Sequence, residues 1–375
     1  MSDGSEAESE TVRRAIDAYL RSLDSSYSKR TARTAVTTWA DWAAERGSLD
    51  FAVLDDADSG TRTMRRYAQR LRHRADDGHI EATTAHTYFD WLSGFLSWCV
   101  RDGHLGQNPA LKQRAREALP TDDRERTQQF WDPETRDRFI DFVAERARDA
   151  VDERGTDALV ELRDRAFVSL LAFSGVRGAE ILRASGDSRE GRQGLRWKRV
   201  DLDRGVLTVY GKSGEWERTP LPTQARSAVR RYRELLDPPR DDWPVFPTDH
   251  APSKYRAARE GLREHGLADS EIESLLDERD VDDVLSEYGV APPSVTVDGM
   301  RKRVRALCEE ADIDIDGEYL KLHAARRGIG DVVFRKDRGA AQDLLRHRSQ
   351  QTTRDAYSHI EAEERAEHVS DLIDE

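Results

Sequence analysis

Apolar positions recur at helical spacing through the first third of the chain. Val12, Ile16, Tyr19, Leu20 and Leu23 form one stripe, and Ala32, Ala35, Val36, Trp39 and Ala43 form a second behind Ser28, a side chain suited to capping. A third helix is predicted over 61–75. The fourth is the clearest: Tyr88, Trp91, Leu92, Phe95, Leu96 and Cys99 keep an i, i+3, i+4, i+7 stripe that must face a core. Gly103 and Gly106 end it, and Asn108-Pro109 opens a short last helix. The pattern predicts an all-helical domain over 10–119, with an acidic disordered tail over 1–9 before it. A polar linker over 120–130, opened by Pro120, comes after it.

A second domain is predicted over 131–357. Asp132-Pro133 is a good cap followed by a proline suited to the first helical position, and helices follow over 133–151 and 156–174. The period then changes. Short strands are predicted over 195–197, 206–210 and 216–221, with Gly211-Lys212-Ser213-Gly214 turning between the last two. Pro220 and Pro222 close this hairpin and a helix resumes over 223–236. From Phe246 to His323 the chain is acidic and helical in pattern, and about 250–300 of it reads as an insertion with a solvated face. A tail helix is predicted over 358–375, with Val369, Leu372 and Ile373 as its apolar stripe.

Composition changes the picture in one respect. The 375 residues hold 73 Asp plus Glu against 60 Lys plus Arg, a net charge of −13, which on its face disfavours a nucleic-acid partner. Of those 60 cations, however, 8 are lysine and 52 arginine, a planar fork that matches phosphate. An acid-rich, lysine-poor chain of this kind points to a halophile, from an archaeon. At ~1 M salt the Debye length is ~3 Å, so local chemistry rather than net charge decides what binds. Cys99 and Cys308 are far apart and lack metal-ligand spacing, which excludes a cysteine-based zinc site or a disulfide scaffold. No run of 18 apolar residues exists and the first ten residues are acidic, so neither a spanning helix nor a leader is expected. The expected location is cytoplasmic, with no membrane partner.

Four segments of the second domain hold the candidate chemistry. The first ends an apolar helix at Ser174-Gly175 and places Arg177 before Glu180-Ile181-Leu182. The second is the turn presenting Lys212. The third, Leu322-His323-Ala324-Ala325-Arg326, puts His and Arg three apart on one helix face. The fourth runs from Leu345-Arg346-His347 through Thr352-Thr353 to Tyr357-Ser358-His359. Singly, each has an ordinary explanation: Arg177 pairs with Glu180 at the surface, the histidines are structural, Lys212 is solvated, and Tyr357 is a core aromatic.

In this order, and with these neighbours, the segments resemble the tyrosine recombinase (phage integrase, Xer-like) family, whose catalytic set runs Arg, Lys, His-x-x-Arg, His or Trp, Tyr. The resemblance implies Arg177 and Arg326 as phosphate-binding arginines, Lys212 as the hairpin lysine, His323 and His347 as the paired histidines, and Tyr357 as nucleophile. It implies a mainly α fold: an N-terminal helical core-binding (SAM-like) domain and a C-terminal α+β catalytic domain with a small antiparallel sheet. Three departures stand out. Members of the family usually have Gly where Arg346 stands, their tyrosine commonly lies nine residues after this histidine rather than ten, and their interval corresponding to Phe246–His323 is shorter.

The implied reaction is strand cleavage and rejoining through a covalent 3′-phosphotyrosine. It calls for no metal and no other cofactor, because cationic side chains stabilise the phosphate. The implied partners are double-stranded DNA and, through the C-terminal tail, three further copies in a homo-tetramer on paired sites. Further DNA contacts are expected at two helix starts in the first domain, from Lys29, Arg30 and Arg33 and from Thr83, Thr84 and His86. Two alternatives stay open: a DNA-binding protein of recombinase descent that is impaired in cleavage, and a type IB-like topoisomerase. Because the catalytic set contains no carboxylate, a positive cleft within an acidic envelope is expected.

Overall fold

The computed structural model describes residues 2–24, 26–121, 128–347, 349–358 and 360. The chain forms two compact units, 1–126 and 127–375.

The first unit is all helix: α1 (Ser2–Ser22), α2 (Ser26–Ala44), α3 (Phe51–Asp55), α4 (Ala57–Asp76), α5 (Ala82–Arg101) and the single turn α6 (Gln113–Arg116). Each apolar stripe read from the sequence lies in its core, with Val12, Ile16, Val36, Trp39, Met64, Tyr67, Phe89, Phe95 and Cys99 buried. Residues 2–9, expected as a disordered tail, instead extend α1 to Ser2. Helix α3 has no counterpart in the sequence reading: it is five residues long, too short to show a period, and its start is capped by the Asp50 carboxylate, which accepts from Ala52 N–H. Asn108 caps the turn at Pro109–Leu111 as expected.

The second unit begins with α7 (Pro133–Arg154), capped by Asp132, and α8 (Leu159–Ser174). Helix α8 is buried on nearly every side. Its Phe167, Leu170 and Leu171 enter a core shared with Trp131, Phe139, Trp197 and Phe246, and each such side chain contributes about 1.5–3 kcal/mol on burial. Its one fully buried carboxylate, Asp164, pairs with Arg146 of α7 and Arg303 of a later helix.

After α8 come α9 (Gly178–Ile181) and an antiparallel sheet in the order β1 (Val200–Asp201), β2 (Val206–Tyr210), β3 (Trp216–Pro220). The β2–β3 register runs from Val206 opposite Pro220 to Tyr210 opposite Trp216. The first strand was expected over 195–197. There Arg196 makes only an isolated bridge to Pro244, a short turn follows over Trp197–Arg199 with Trp197 buried, and pairing with β2 begins at Val200, five residues after the expected start. An apolar, aromatic tripeptide fits either place, and core packing decided.

Helix α10 (Thr223–Leu236) packs on α8. Then follow α11 (Ala251–Glu264), α12 (Asp269–Glu278) and α13 (Val281–Glu287), which occupy the predicted insertion, and α14 (Val297–Glu310). The exposed faces of α12 and α13 are acidic, whereas α11 exposes Arg256 and Arg263 and α14, largely beyond the predicted insertion, exposes Arg301, Lys302 and Arg305. Leu262, Ile272, Leu276, Val284 and Leu285 nonetheless join the main core. The unit closes with α15 (Leu322–Phe334), α16 (Arg338–Leu345) and α17 (Gln350–Ala356). The predicted tail over 358–375 lies outside the described residues except for Ser358 and Ile360, and so do linker residues 122–127. No described helix is long and apolar enough to cross a membrane.

Candidate active site

Helix α8 stops at Gly175, in left-handed backbone, and two residues later Arg177 forms the N-cap of α9. The buried Glu180 carboxylate accepts from the backbone N–H of Arg177 (2.9 Å) and from its guanidinium (2.7 Å). On the facing helix α15, His323 sits in the first turn and Arg326 one turn further on, so the two share a face. Arg326 is buried, and its guanidinium donates to the carbonyls of Gly175 and Leu345. One side chain thus joins the segment that ends before Arg177 to the segment that ends before His347. At the end of α16, Arg346 adopts φ +52 and donates to Glu180 (2.6 Å), and His347 follows with Nδ1 3.0 Å from the buried Thr353 hydroxyl.

Charge is concentrated at this junction. Burial, then Arg177 and Arg346, presses the Arg326 pKa down to about 9, which leaves it charged at neutral pH. His323 is pushed down to about 4, first by loss of solvent and then by Arg327, Arg326 and Arg177; more than a third of its surface still meets water, which screens part of this shift. His347 also falls to about 4, through burial, Arg326, Arg177 and Arg346. Burial alone would raise the Glu180 carboxyl, but Arg346 and Arg177 outweigh it and hold the group below its usual range.

The remaining two predicted residues are placed differently. Lys212 is exposed in the β2–β3 turn and contacts none of the other five. Tyr357 follows the last residue of α17, almost fully buried, with its ring against Phe334 and its hydroxyl donating to the Arg327 carbonyl at 3.3 Å. Burial pushes its pKa up to about 12. A Cβ on Gly330, one turn past Arg326 on α15, would overlap that hydroxyl, so the glycine is what admits the tyrosine to this position.

No family model matches the chain. It is similar to the tyrosine recombinase XerC of Xanthomonas campestris pv. campestris, with 27% identity over 195 residues, 51% of this chain and 48% of that protein. With XerC of Xanthomonas axonopodis pv. citri the identity is 25% over 278 residues, 68% of this chain and 80% of that one. The match to the first covers about half of that relative's length. Among solved structures, the Tn1549 transposon integrase in complex with a circular intermediate DNA superposes with a TM-score of 0.57 at 14% identity, covering 92% of this chain and 94% of that one. The fold is that of the tyrosine recombinases and integrases.

Within that fold the positive cluster differs from expectation in one respect: it holds a carboxylate. Glu180 lies at its centre, fully buried, between Arg177 and Arg346. The ordinary reading of Arg177 as the partner of Glu180 and the catalytic reading are both compatible with this placement. The sequence reading also gave no role to Arg346, or to Thr353, which meets His347; the departure from glycine at 346 was the available signal for the first. In the recombinase-like first unit, Arg30 and Arg33 are exposed on α2, and Thr83 is exposed in the first turn of α5. Lys29 and Thr84 are half-buried, and His86 points Nε2 at the Pro120 carbonyl, 2.8 Å away. His86 therefore already has a partner within its own unit.

Proposed function

We propose that this chain is a site-specific recombinase that breaks and rejoins double-stranded DNA through a 3′-phosphotyrosine at Tyr357. The observation that carries the reading is the staple made by Arg326, which draws the Arg177 and His347 segments to one point facing His323. Breaking a phosphodiester develops charge on its non-bridging oxygens, and preorganised cations stabilise that charge. Arg326 uses part of its guanidinium fork on two carbonyls and has N–H donors left for phosphate. Arg177 is about a quarter exposed and adds a second fork.

The proton steps follow from the same geometry. The Tyr357 hydroxyl stays protonated at neutral pH, and His323, neutral there, serves as its base once a bound phosphodiester has offset the arginine charge that depresses the imidazole. The tyrosine oxygen bonds to phosphorus as the bond to the 5′-oxygen breaks, and Lys212 protonates that leaving oxygen. The Thr353 hydroxyl lies 3.0 Å from His347 Nδ1, and in the tautomer that accepts from it, Nε2–H is presented to the phosphate. In the reverse direction a 5′-hydroxyl attacks the phosphotyrosine and reseals the strand, so the cut bond's energy is conserved and no nucleotide is consumed.

The experiment is to incubate the protein with a DNA library, trap covalent adducts and sequence the attached DNA. An adduct on a preferred sequence, lost in Tyr357→Phe, is expected; its absence overturns the reading. Relaxation of supercoils without a preferred site would instead favour a topoisomerase. The buried Tyr357 hydroxyl favours one second reading, a DNA-binding protein of recombinase descent, for which Tyr357→Phe leaves every activity unchanged. The resemblance further supports a tetramer on paired sites, checked by sedimentation with and without target DNA. The arginine-dominated cations and net charge of −13 support work in concentrated salt, checked by whether the urea midpoint rises between ~0.1 and ~2 M KCl.

A further inference from the structure

Arg346 occupies a position that is unfavourable for any arginine. Its φ of +52 lies in the left-handed region where glycine is easiest, and its charged side chain is only 8% exposed. Such a residue persists where the surroundings fix it for a reason. Its guanidinium lies between two carboxylates from different elements. Nη2 is 2.6 Å from Glu180, which holds Arg177, and Nε is 3.1 Å from Glu217 on β3. Glu217 in turn accepts from the Ser213 hydroxyl (2.7 Å) and packs against Gly211, where a Cβ would overlap its carboxylate. Gly211 and Ser213 are the two neighbours of Lys212. A continuous chain of contacts therefore runs from Arg177 through Glu180, Arg346 and Glu217 to both sides of the Lys212 turn. The root of the same turn is held separately, since Arg192 donates to the carbonyls of Gly211 (2.7 Å) and Ala179 (3.0 Å).

We propose that Arg346 is a positioning residue for the general acid. Through Glu217 it fixes the tip of the β2–β3 turn, so that Lys212 meets the leaving 5′-oxygen in register with the phosphate held by Arg177. This rests on the recombinase reading above. Arg346 does not touch the reacting atoms, and its effect on the leaving group passes through Glu217 and the Lys212 turn.

That route predicts a dependence on the leaving group. A 5′-oxygen must be protonated as it departs, whereas a 5′-sulfur at the same bridging position leaves as a thiolate and needs no acid. Two duplexes of the trapped sequence are prepared, one with each bridging atom, and the rate of covalent adduct formation is measured for each variant. On the oxygen duplex Arg346→Gln is expected to lose roughly 100-fold, within the range of general-acid contributions. On the sulfur duplex it is expected to stay within about fivefold of the unaltered protein. Lys212→Ala should show the same split and Arg177→Lys should be slow on both duplexes. Glu217→Gln cuts the chain at a less buried point, so it should reproduce the split even if Arg346→Gln folds poorly. Equal losses on both duplexes for Arg346→Gln and Glu217→Gln, or no loss on the oxygen duplex, would overturn the proposal. An unaltered protein that forms no adduct overturns the recombinase reading itself.

Discussion

A buried guanidinium that bridges two carboxylates is costly to disturb from one side only. Replacing Arg346 by glycine relieves left-handed backbone strain worth about 1 kcal/mol, but it removes one of two cations from Glu180. Breaking a buried pair costs about 3–5 kcal/mol, and Arg177 remains to offset part of that. Arg346→Gly is therefore expected to lower the unfolding free energy by about 1–3 kcal/mol in urea titration. The acid side of the stability profile should also move. Glu180's depressed carboxyl contributes stability that is present above the usual carboxylate range and lost as pH falls through its lower folded value. Without Arg346 that folded value rises, so the loss sets in at higher pH. At the same scale, Thr353→Val removes the hydroxyl on His347 Nδ1 and frees the ring to place its proton on either nitrogen. Adduct formation is expected to fall about tenfold with little change in stability, the two being read on one preparation. Both residues show what was legible and what was not. The six candidate positions were picked out in the sequence by their order and neighbouring residues, which resemble the family's catalytic set. Arg346 meets Glu180 and Glu217 across 166 and 129 residues of sequence, and no local pattern announces those contacts.

Helix α15 carries the site on one face, with His323, Arg326 and Gly330 at i, i+3 and i+7. The first two present nitrogen to the junction, and the third leaves room for Tyr357, the proposed nucleophile. Tyr357 rests in a small cluster with Phe334, Ala341, Leu345 and Ile360, and the proposed attack on phosphorus requires its hydroxyl to leave the Arg327 carbonyl. Gly330→Ala puts a methyl where that hydroxyl lies and is expected to cost about 1–3 kcal/mol of stability through overpacking. The displaced tyrosine should titrate closer to 10 than to its buried value of about 12, which ultraviolet difference spectra measure directly. Unchanged titration would mean that the helix, not the ring, gives way. The helices themselves were largely legible, because stripes of four or five apolar residues fix a period. Where the signal ran only three to five residues, as at β1 and α3, tertiary packing chose the structure. Residues 2–9, expected as a tail, carry no apolar stripe of their own and continue α1.

A net charge of −13 and a site built on guanidinium groups are compatible because the two act over different distances. The envelope's field is screened beyond about a Debye length, ~10 Å at ~0.1 M salt and ~3 Å at ~1 M. Burial first, then Arg326 and Arg177 on both rings, with Arg327 on His323 and Arg346 on His347, holds both imidazoles near 4. Two consequences follow with definite signs. For folding, a histidine whose folded value lies below its unfolded value of about 6.5 contributes fully above that value. Its contribution is lost as pH falls through about 4. For DNA binding the direction reverses. A phosphodiester seated among the arginines cancels much of the charge that keeps the imidazoles neutral, so their pKa values rise on binding and the complex takes up protons. Affinity should therefore increase as pH is lowered from 7 towards 5, by up to about tenfold per pH unit for each proton taken up, and level off above neutrality. Fluorescence anisotropy of a labelled duplex at constant salt measures this over a range in which the protein stays folded. Replacing both His323 and His347 by glutamine should flatten the profile without abolishing binding. A flat profile in the unaltered protein would show that the bound phosphate does not reach the junction where Arg326 joins the chain segments.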